Sequence, residues 1–561
     1  MTIARHNRTI SSALWAAYGD ALGFPTELAD VARIEERVGA RKVSKLVPWT
    51  RQVGGRFGSL VELPEGAYSD DTQLRLCVSR AIRADGYFDV EAFSKVELPV
   101  WLSYALGAGR GSKAAATALG QRTVAWFSNF FNNRDSDYLQ GGGNGAAMRI
   151  QPHVWAARDL FDERAILVNV VRNAICTHGH PRGIAGAAIH AYCLIGLMRG
   201  NAVHDPEDWE SLGDAAAWCG DFVEGDPDLS SFWLPTWEIR TGQDFRAAMT
   251  QVREEWIRDI VQAKRHLTEN RGKSYLKVVS ELDGLASDQR GSGLKSSLFS
   301  LVLAWLYKDA SPADAILAAA NVPFSDTDTI SSMAGALLGA LNPDYELPAN
   351  VQDFEYVKSE ASRLYSISAG ENVKNFSYPD LLAWSPPRTQ LDAVGYVDGK
   401  TALAGLGALV EIGEPIPSGK EDVVWQWYKT EFGQSIVCKR RKNLNNLYKM
   451  NHLSVAYGRL QSEAGAKLND SNVHSIERGL FDDLEHPPEH SSREALTPKL
   501  NAKEHWRSVD ELSDDAIKSG FDAQLIGRHI LLLSERSSGV ELVVAYSAII
   551  AKARIARLRR E

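Results

Sequence analysis

The sequence predicts an all-α N-terminal domain followed by a C-terminal α+β region whose fold the sequence leaves unassigned. From residue 7 to about residue 342, apolar residues recur at helical spacing, alanine is frequent, and short Gly, Pro or Asp segments separate the periodic stretches. Beyond Pro343, glycines and β-branched and aromatic residues become frequent, as is typical of strands and turns. The 561 residues exceed the size at which one hydrophobic core usually stops growing. We therefore expect one domain over residues 1–345 and a second, accessory domain over residues 350–561.

The helical period identifies individual helices within the first domain. The segments that follow it are 9–22, 73–82, 90–104, 163–176, 184–198, 245–267, 295–307, 312–321 and 329–341. Residues 207–244 are rich in Asp, Trp and Pro and fit this pattern poorly. They predict an insertion or a long loop with short helices of its own.

The C-terminal region contains three recognisable segments. Residues 423–438 have the aromatic and β-branched content of strands, and the polar stretch 462–503 is typical of a linker. Two helices are expected to close the chain, the last over residues 540–560. The basic run Lys439, Arg440, Arg441 and Lys442 follows the strands, and it is consistent either with a nucleic-acid contact or with a solvated loop.

The composition excludes several classes of protein. Hydrophobic residues make up 44% and charged residues 24% of the chain, as in soluble globular proteins. The net charge of −9 argues against binding nucleic acid over the whole surface. Because no signal-like or membrane-spanning apolar run is present, we expect a cytoplasmic protein. The five cysteines form no CxxC pair, so we expect reduced, buried side chains.

Two acidic motifs, far apart in the sequence, each stand where a helix begins. The first is Ser69-Asp70-Asp71-Thr72, and the second is Ser325-Asp326-Thr327-Asp328-Thr329. Such residues also cap helices, so either motif alone has an ordinary structural explanation. If the two motifs meet in a helical core, however, their carboxylates would be too costly to bury together without cations. Oxygen ligands of this kind select Mg²⁺ or Mn²⁺ rather than zinc or copper.

Three further motifs offer groups for a ligand. Glycines in Gly141-Gly142-Gly143-Asn144-Gly145-Ala146-Ala147-Met148-Arg149 would let the backbone approach a polar ligand closely, although such loops also form ordinary turns. The Thr177-His178-Gly179-His180-Pro181 motif contains histidines that could equally be hydrogen-bonded core residues. The third motif is Gly19-Asp20-Ala21-Leu22-Gly23, which is followed by Glu27.

In their order and spacing, these five motifs resemble the ADP-ribosylglycohydrolase family over about the first 340 residues. The resemblance implies a compact all-α domain with two Mg²⁺ or Mn²⁺ ions in a cleft, and removal of ADP-ribose from a modified macromolecule. It also implies roles for individual residues. The metal ligands would be Ser69, Asp70, Asp71, Asp326, Asp328 and Thr329. Glu27 is the first candidate for proton transfer and Asp71 the second, and the substrate-binding residues would be Asn144, Gly145, Met148, His178 and Gly293.

The chain departs from the family pattern at three places. Ser69 stands where members have threonine, which keeps a hydroxyl. Phe324-Ser325 replaces the usual glycine pair before the last acidic motif, which would narrow or reshape the site. Leu294 follows Gly293 where a Gly-Tyr sequence is common, so an aromatic contact with the substrate is not expected there.

The sequence does not identify the acceptor, the group from which ADP-ribose would be removed. By analogy with the family, an arginine-linked protein is the first choice, while serine, nucleic acid and a small ADP-ribose derivative are alternatives. Two other classes of function also fit the resemblance. The chain could be a catalytically inactive ADP-ribose reader, or a regulatory or immunity protein that neutralises an ADP-ribosyltransferase.

Overall fold

The computed structural model describes residues 2–268, 270–381, 383–452, 507–536 and 539–558. The chain divides into two compact units, Met1–Gly465 and Ala466–Glu561. The predicted linker over 462–503 lies outside the described residues. The predicted domain boundary near residue 350 stays a prediction, and the sheet of the C-terminal region belongs to the same compact unit as the N-terminal helices.

Helices dominate the first unit, as predicted, and their ends differ from the expected ones by a few residues. They are α1 (Thr2–Gly23), α2 (Val31–Val38), α3 (Asp70–Ala81), α4 (Val90–Ala92), α5 (Leu98–Trp101), α6 (Arg110–Leu119), α7 (Gln151–Trp155), α8 (Glu163–Ile175), α9 (Pro181–Met198), α10 (Trp209–Leu212), α11 (Asp214–Gly225), α12 (Leu234–Thr241), α13 (Phe245–Lys264), α14 (Arg271–Glu281), α15 (Gly293–Leu306), α16 (Pro312–Ala320), α17 (Thr327–Leu341) and α18 (Phe354–Ser368). The segment rich in Asp, Trp and Pro forms the short helices α10 to α12, as predicted.

Glycines bring the backbones of α1 and α17 into direct contact. A Cβ atom at Gly19 would lie 2.2 Å from the Ser331 carbonyl oxygen, and one at Gly335 would lie 2.3 Å from the Trp15 carbonyl oxygen. Real side chains do not approach this closely, so only glycine fits at either position. The contact brings the start of α17, with its acidic motif, beside the end of α1.

A β-hairpin interrupts the otherwise helical N-terminal region. Its strands, β1 (Trp49–Val53) and β2 (Ser59–Leu63), are antiparallel, with Arg51 opposite Val61. On β2 the side chains alternate between buried and exposed, which is the period of a strand with one covered face. The hairpin was not predicted, because each strand has only five residues and β1 is largely polar.

Five antiparallel strands follow the helices and confirm the sheet-containing C-terminal region. In sheet order they are β3 (Val394–Val397), β4 (Lys400–Leu403), β5 (Gly407–Pro417), β6 (Val423–Thr430) and β7 (Ser435–Arg441). Trp425 of β6 and Val437 of β7 belong to one buried apolar cluster with Phe24 and Trp49. The sheet therefore packs against the N-terminal hairpin.

A fully buried ion pair also ties the C-terminal region to α3. The Arg80 guanidinium lies 2.8 Å from the Glu97 carboxylate and donates to Tyr356 Oη and Gln434 Oε1. The hydroxyl of Tyr378 donates to the same carboxylate at 2.7 Å. Because each charge is paired and hydrogen-bonded, the network can stay buried, whereas removing one partner would leave an uncompensated charge.

The second unit contains the helices Val509–Lys518, Ala523–Ser534 and Gly539–Leu558. Ser508 and Glu511 form a capping box at the start of the first helix, and Leu512, Leu533 and Tyr546 lie in a small apolar core. No helix among the described residues has the length and apolar character needed to cross a membrane. All five cysteines are free and buried, as predicted.

The contact between α1 and α17 predicts a marked loss of stability for Gly335→Ala. Alanine favours helices more than glycine does, yet its methyl group would displace the α1 backbone. We expect the free energy of unfolding to fall by about 1–3 kcal/mol, measured by chemical denaturation. Gly272→Ala in α14 is the matched control, because its Cβ would meet only Tyr307 Oη, at 4.0 Å. Equal stability of the two variants would contradict the tight contact.

Candidate metal and substrate site

The two acidic motifs face one another, and the first of them also caps its helix. At the start of α3, the Asp71 amide donates to Ser69 Oγ at 3.2 Å, which is an N-cap bond. At the start of α17, the Thr329 amide donates to Asp328 Oδ1 at 2.8 Å. The Thr329 hydroxyl donates to Asp71 Oδ2 at 3.1 Å and so links the two motifs directly. The motifs therefore meet, and the capping explanation holds for the first one only, because Asp326, the N-cap of α17, makes no side-chain capping bond.

Three carboxylates converge beside this link. Glu27, Asp326 and Asp328 each offer one oxygen, and these atoms lie within 4.8 Å of one another. Asn144 fixes the side chain of Asp326, because its amide nitrogen donates to Asp326 Oδ2 at 2.9 Å and to Ser296 Oγ at 3.0 Å. The glycine loop thus supports the acidic group as well as lining the cleft.

Asp20 holds the first acidic motif in place. Its carboxylate accepts the Ser69 amide at 2.9 Å and the Thr72 amide at 2.8 Å, so it caps the start of α3 from α1. The side chain is fully buried. Asp20 therefore acts as a support for the Ser69 to Thr72 motif.

Burial and mutual repulsion disfavour the ionised forms of these acids. Burial raises the pKa of Asp71 well above its usual value, and the neighbouring carboxylates Asp20 and Asp70 raise it further. Burial also raises the pKa of Asp328 strongly, helped by the charges of Glu27 and Asp326. A divalent cation would remove this repulsion and favour the ionised forms.

The donor set fits hard divalent cations. Asp71 Oδ1 is buried and, among the described residues, has no hydrogen-bond partner, so it is available as a ligand. The converging groups are carboxylate and hydroxyl oxygens, which suit Mg²⁺ or Mn²⁺. The arrangement can hold a metal ion.

Arg51 is the cation that the sequence analysis missed. Its two terminal guanidinium nitrogens lie 3.3 Å and 3.2 Å from Glu27 Oε2. The guanidinium group also stacks over the Phe24 ring, 4.4 Å from its centroid, and lies 5.6 Å from that of Trp49. Burial raises the pKa of Glu27, and the Arg51 charge opposes that rise. The hairpin thereby fixes the orientation of Glu27.

The three converging carboxylates line a cleft of about 360 Å³. Of the predicted site residues, those that line it are Glu27, Asp70, Asp71, Asn144, Gly145, Met148, His178, Asp326, Asp328 and Thr329. Ser69 and Gly293 are not among the lining residues. Ser69 is fully buried beneath the cleft, and the Gly293 amide donates to the Gly142 carbonyl oxygen at 2.9 Å, which closes the wall behind it. Gly291, two residues earlier, lines the cleft instead.

One lining segment carried a signal that the sequence analysis did not use. Gly107, Gly109, Arg110, Gly111 and Ser112 line the cleft where α6 begins. Gly109 is the N-cap of α6 and makes no side-chain capping bond, so amide groups of the first turn stay available to a ligand. The alternating glycines could have identified this loop.

His178 is neutral in the cleft wall. Burial and the nearby charge of Arg149 lower its pKa to about 3. Its Nδ1 lies 2.7 Å from the Thr177 hydroxyl, which in turn accepts a hydrogen bond from Arg149 at 2.8 Å. A neutral imidazole held in this way is suited to ligand contact rather than to proton transfer at neutral pH.

Two arginines of the basic run in the C-terminal region make contacts within the fold. Arg440 is buried, and its Nη1 donates to the carbonyl oxygens of Arg441 and Lys442. The Arg441 guanidinium pairs with Asp392 at 2.9 Å. A nucleic-acid contact by Lys439, Arg440, Arg441 and Lys442 stays a prediction.

Comparison with known proteins identifies the family. A model of the ADP-ribosylglycohydrolase family matches residues 1–372, and the chain therefore belongs to that family. The chain is 27% identical over 179 residues to the ADP-ribosyl-[dinitrogen reductase] glycohydrolase of Rhodospirillum rubrum. That match covers 31% of this chain and about half, 53%, of the relative. A solved structure named as an ADP-ribosylglycohydrolase-related protein complex is 20% identical, with a TM-score of 0.38, over 65% of this chain and 99% of that one.

Because His190 is buried as a neutral side chain, we expect the stability of the protein to fall in acid. Burial lowers the pKa of His190 to about 3, and its Nε2 lies 3.0 Å from the Gln151 amide nitrogen, which requires a neutral acceptor. An unfolded histidine binds a proton near pH 6.5, whereas buried His190 does so only near pH 3. The stability that neutral His190 contributes is therefore fully present above pH 6.5 and is lost as the pH falls towards 3. In His190→Gln, the dependence of unfolding free energy on pH between 6 and 4 should be shallower than in wild type by about 1 kcal/mol per pH unit. Parallel pH curves for the two proteins would contradict a neutral buried His190.

Proposed function

We propose that this chain is a metal-dependent ADP-ribosyl-acceptor hydrolase that removes ADP-ribose from an arginine-linked protein. The convergence of the Glu27, Asp326 and Asp328 carboxylates in a cleft that Asn144 and His178 also line carries this proposal. Membership of the ADP-ribosylglycohydrolase family supports the same reaction. The presence of every acidic residue of the two motifs favours an enzyme over an inactive reader.

Two divalent ions would bind between the acidic helix starts. Ser69, Asp70 and Asp71 would hold one side of the pair, and Asp326, Asp328 and Thr329 the other. The hydrogen bond between Thr329 and Asp71 supports a shared site, since it places the two sets side by side. When bound, Mg²⁺ or Mn²⁺ would supply Lewis-acid polarisation of sugar hydroxyls and water.

The remaining lining groups suit an ADP-ribose ligand. The backbone at Gly109 and Gly111 has no side chain to exclude a diphosphate, and the start of α6 attracts negative charge. The backbone of Gly145 and the amide of Asn144 line the cleft from the glycine-rich loop, and neutral His178 can accept or donate a hydrogen bond. Together these groups would orient the ligand.

Glu27 is assigned the proton transfer, with Asp71 as the second candidate. Hydrolysis breaks the bond between the anomeric carbon and the acceptor and forms a bond from that carbon to a water oxygen. In this assignment Glu27 takes the proton that the water loses and returns it to the leaving acceptor. Its contact with Arg51 keeps the carboxylate aimed at the other acids.

A protein acceptor is supported by the relative from Rhodospirillum rubrum, whose name states that it acts on ADP-ribosylated dinitrogen reductase. An arginine side chain has a planar, cationic leaving group that suits an acidic cleft.

The experiment that tests the function is ADP-ribose release from arginine-, serine- and DNA-linked substrates, with Mg²⁺ and with EDTA. We expect release that depends on Mg²⁺ from the arginine-linked substrate, and release that EDTA leaves unchanged would contradict metal dependence.

Asp328→Ala should abolish both metal binding and turnover. The change removes one of the three converging oxygens and leaves the other acids without a complete ligand set. We expect Mn²⁺ binding, measured by calorimetry, and ADP-ribose release to be lost together. Asp314→Ala is the matched control, because Asp314 stands in the first turn of α16 and is exposed. Full activity of Asp328→Ala would disprove the assignment.

Arg51→Ala should impair turnover more than substrate binding. Without the guanidinium group, Glu27 loses its charged partner and its fixed orientation. We expect kcat to fall by about tenfold or more with a small change in KM, since a misplaced catalytic group affects the transition state most. Arg51→Lys should recover part of the loss. A change confined to KM would argue that Arg51 binds substrate instead.

A further inference from the structure

Leu28 and Phe324 have strained backbone conformations. Their φ angles are +52° and +66°, in the left-handed region that bulky side chains rarely adopt. Most other non-glycine residues with positive φ in the described chain are aspartates, which tolerate this region. Glycine would take the conformation of Phe324 without strain, because it has no Cβ atom.

Two backbone hydrogen bonds hold both residues in this conformation. The Leu28 amide donates to the Ser325 carbonyl oxygen at 3.0 Å, and the Phe324 amide donates to the Ala29 carbonyl oxygen at 2.9 Å. Leu28 directly follows Glu27, and Phe324 stands two residues before Asp326. The strained pair, here called the apolar lip, is therefore joined to both sides of the carboxylate group.

The side chains of the apolar lip are exposed although both are apolar. Phe324 is 48% exposed and Leu28 is 37% exposed; Leu28 lines the cleft, whereas Phe324 is not among the lining residues. Backbone strain and exposed apolar surface both oppose folding, so the fold alone does not account for these residues. Strain of this kind commonly marks a functional position.

We infer that the apolar lip contacts the acceptor beside the bond that is broken, and that Phe324 stacks on the guanidinium group of an ADP-ribosylated arginine. This inference rests on the proposed function. The glycine segments and His178 would hold the ADP-ribose, which leaves the rim next to Glu27 for the acceptor. A guanidinium group has weakly hydrated planar faces that stack on aromatic rings, and the neighbouring carboxylates favour its positive charge.

Three variants test the role of the ring. Phe324→Asn removes the ring but tolerates the left-handed backbone, whereas Phe324→Tyr keeps the ring. Phe161→Asn is the matched control, because Phe161 is 76% exposed and its ring contacts Arg199 at the end of α9. The assay measures kcat and KM for an arginine-linked protein, Ki for free ADP-ribose, which has no acceptor, and Tm as a check of folding.

For Phe324→Asn we expect kcat/KM on the arginine-linked protein to fall by about 3- to 30-fold, the loss of one cation–π contact. Ki for ADP-ribose should stay within about twofold of wild type, and Phe324→Tyr and Phe161→Asn should match wild type. An unchanged kcat/KM, or an equal loss in Ki, overturns the inference. A loss seen only with a DNA-linked base also overturns it, in favour of a nucleobase acceptor.

The design separates this inference from the proposed function. If wild type releases no ADP-ribose from any substrate, the proposed function fails and the variants are not needed to show it. If wild type is active and Phe324→Asn is equally active with the same Tm, only the apolar lip loses its role. A fall in Tm with kcat/KM unchanged would assign Phe324 to packing.

Discussion

The site depends on the direct backbone contact between α1 and α17. Gly19 and Gly335 allow the two helices to touch without intervening side chains, and Gly23 does the same beside Thr327. The contact fixes the end of α1 against the start of α17, and these are the places from which Glu27 and Asp328 extend. A wider spacing would separate the carboxylates, because each is fixed near a helix end.

The remaining parts of the first unit act as supports for this arrangement. Asp20 of α1 caps α3 and so fixes the position of the Ser69 to Thr72 motif relative to α1. On the far side, Trp425 and Val437 of the sheet pack against Phe24 and Trp49, beside the hairpin residue that pairs with Glu27. Residues that follow the family-matched region therefore contribute to the surroundings of the acidic cleft.

Elements with a strong local sequence signal are predicted correctly, and elements without one are not. The acidic motifs and the long helices have strong local signals, namely helical periodicity and residues that cap a helix. Arg51 had no such signal, because it stands in a short polar strand whose partner lies across a turn. The apolar lip was also hidden, since the sign of φ at Leu28 and Phe324 depends on two long-range hydrogen bonds.

Local patterns in the sequence establish which chemical groups are present: paired carboxylates at helix starts, glycine-rich loops and the order of motifs that resembles the family. Which of these groups meet depends on how the helices and the hairpin pack. This packing brings Glu27 to Asp326 and Asp328, places Ser69 and Gly293 outside the cleft lining, and supplies Arg51 from the hairpin. The reason is physical: capping and periodicity act over a few residues, whereas the distances between carboxylates are set by close packing of elements about 300 residues apart.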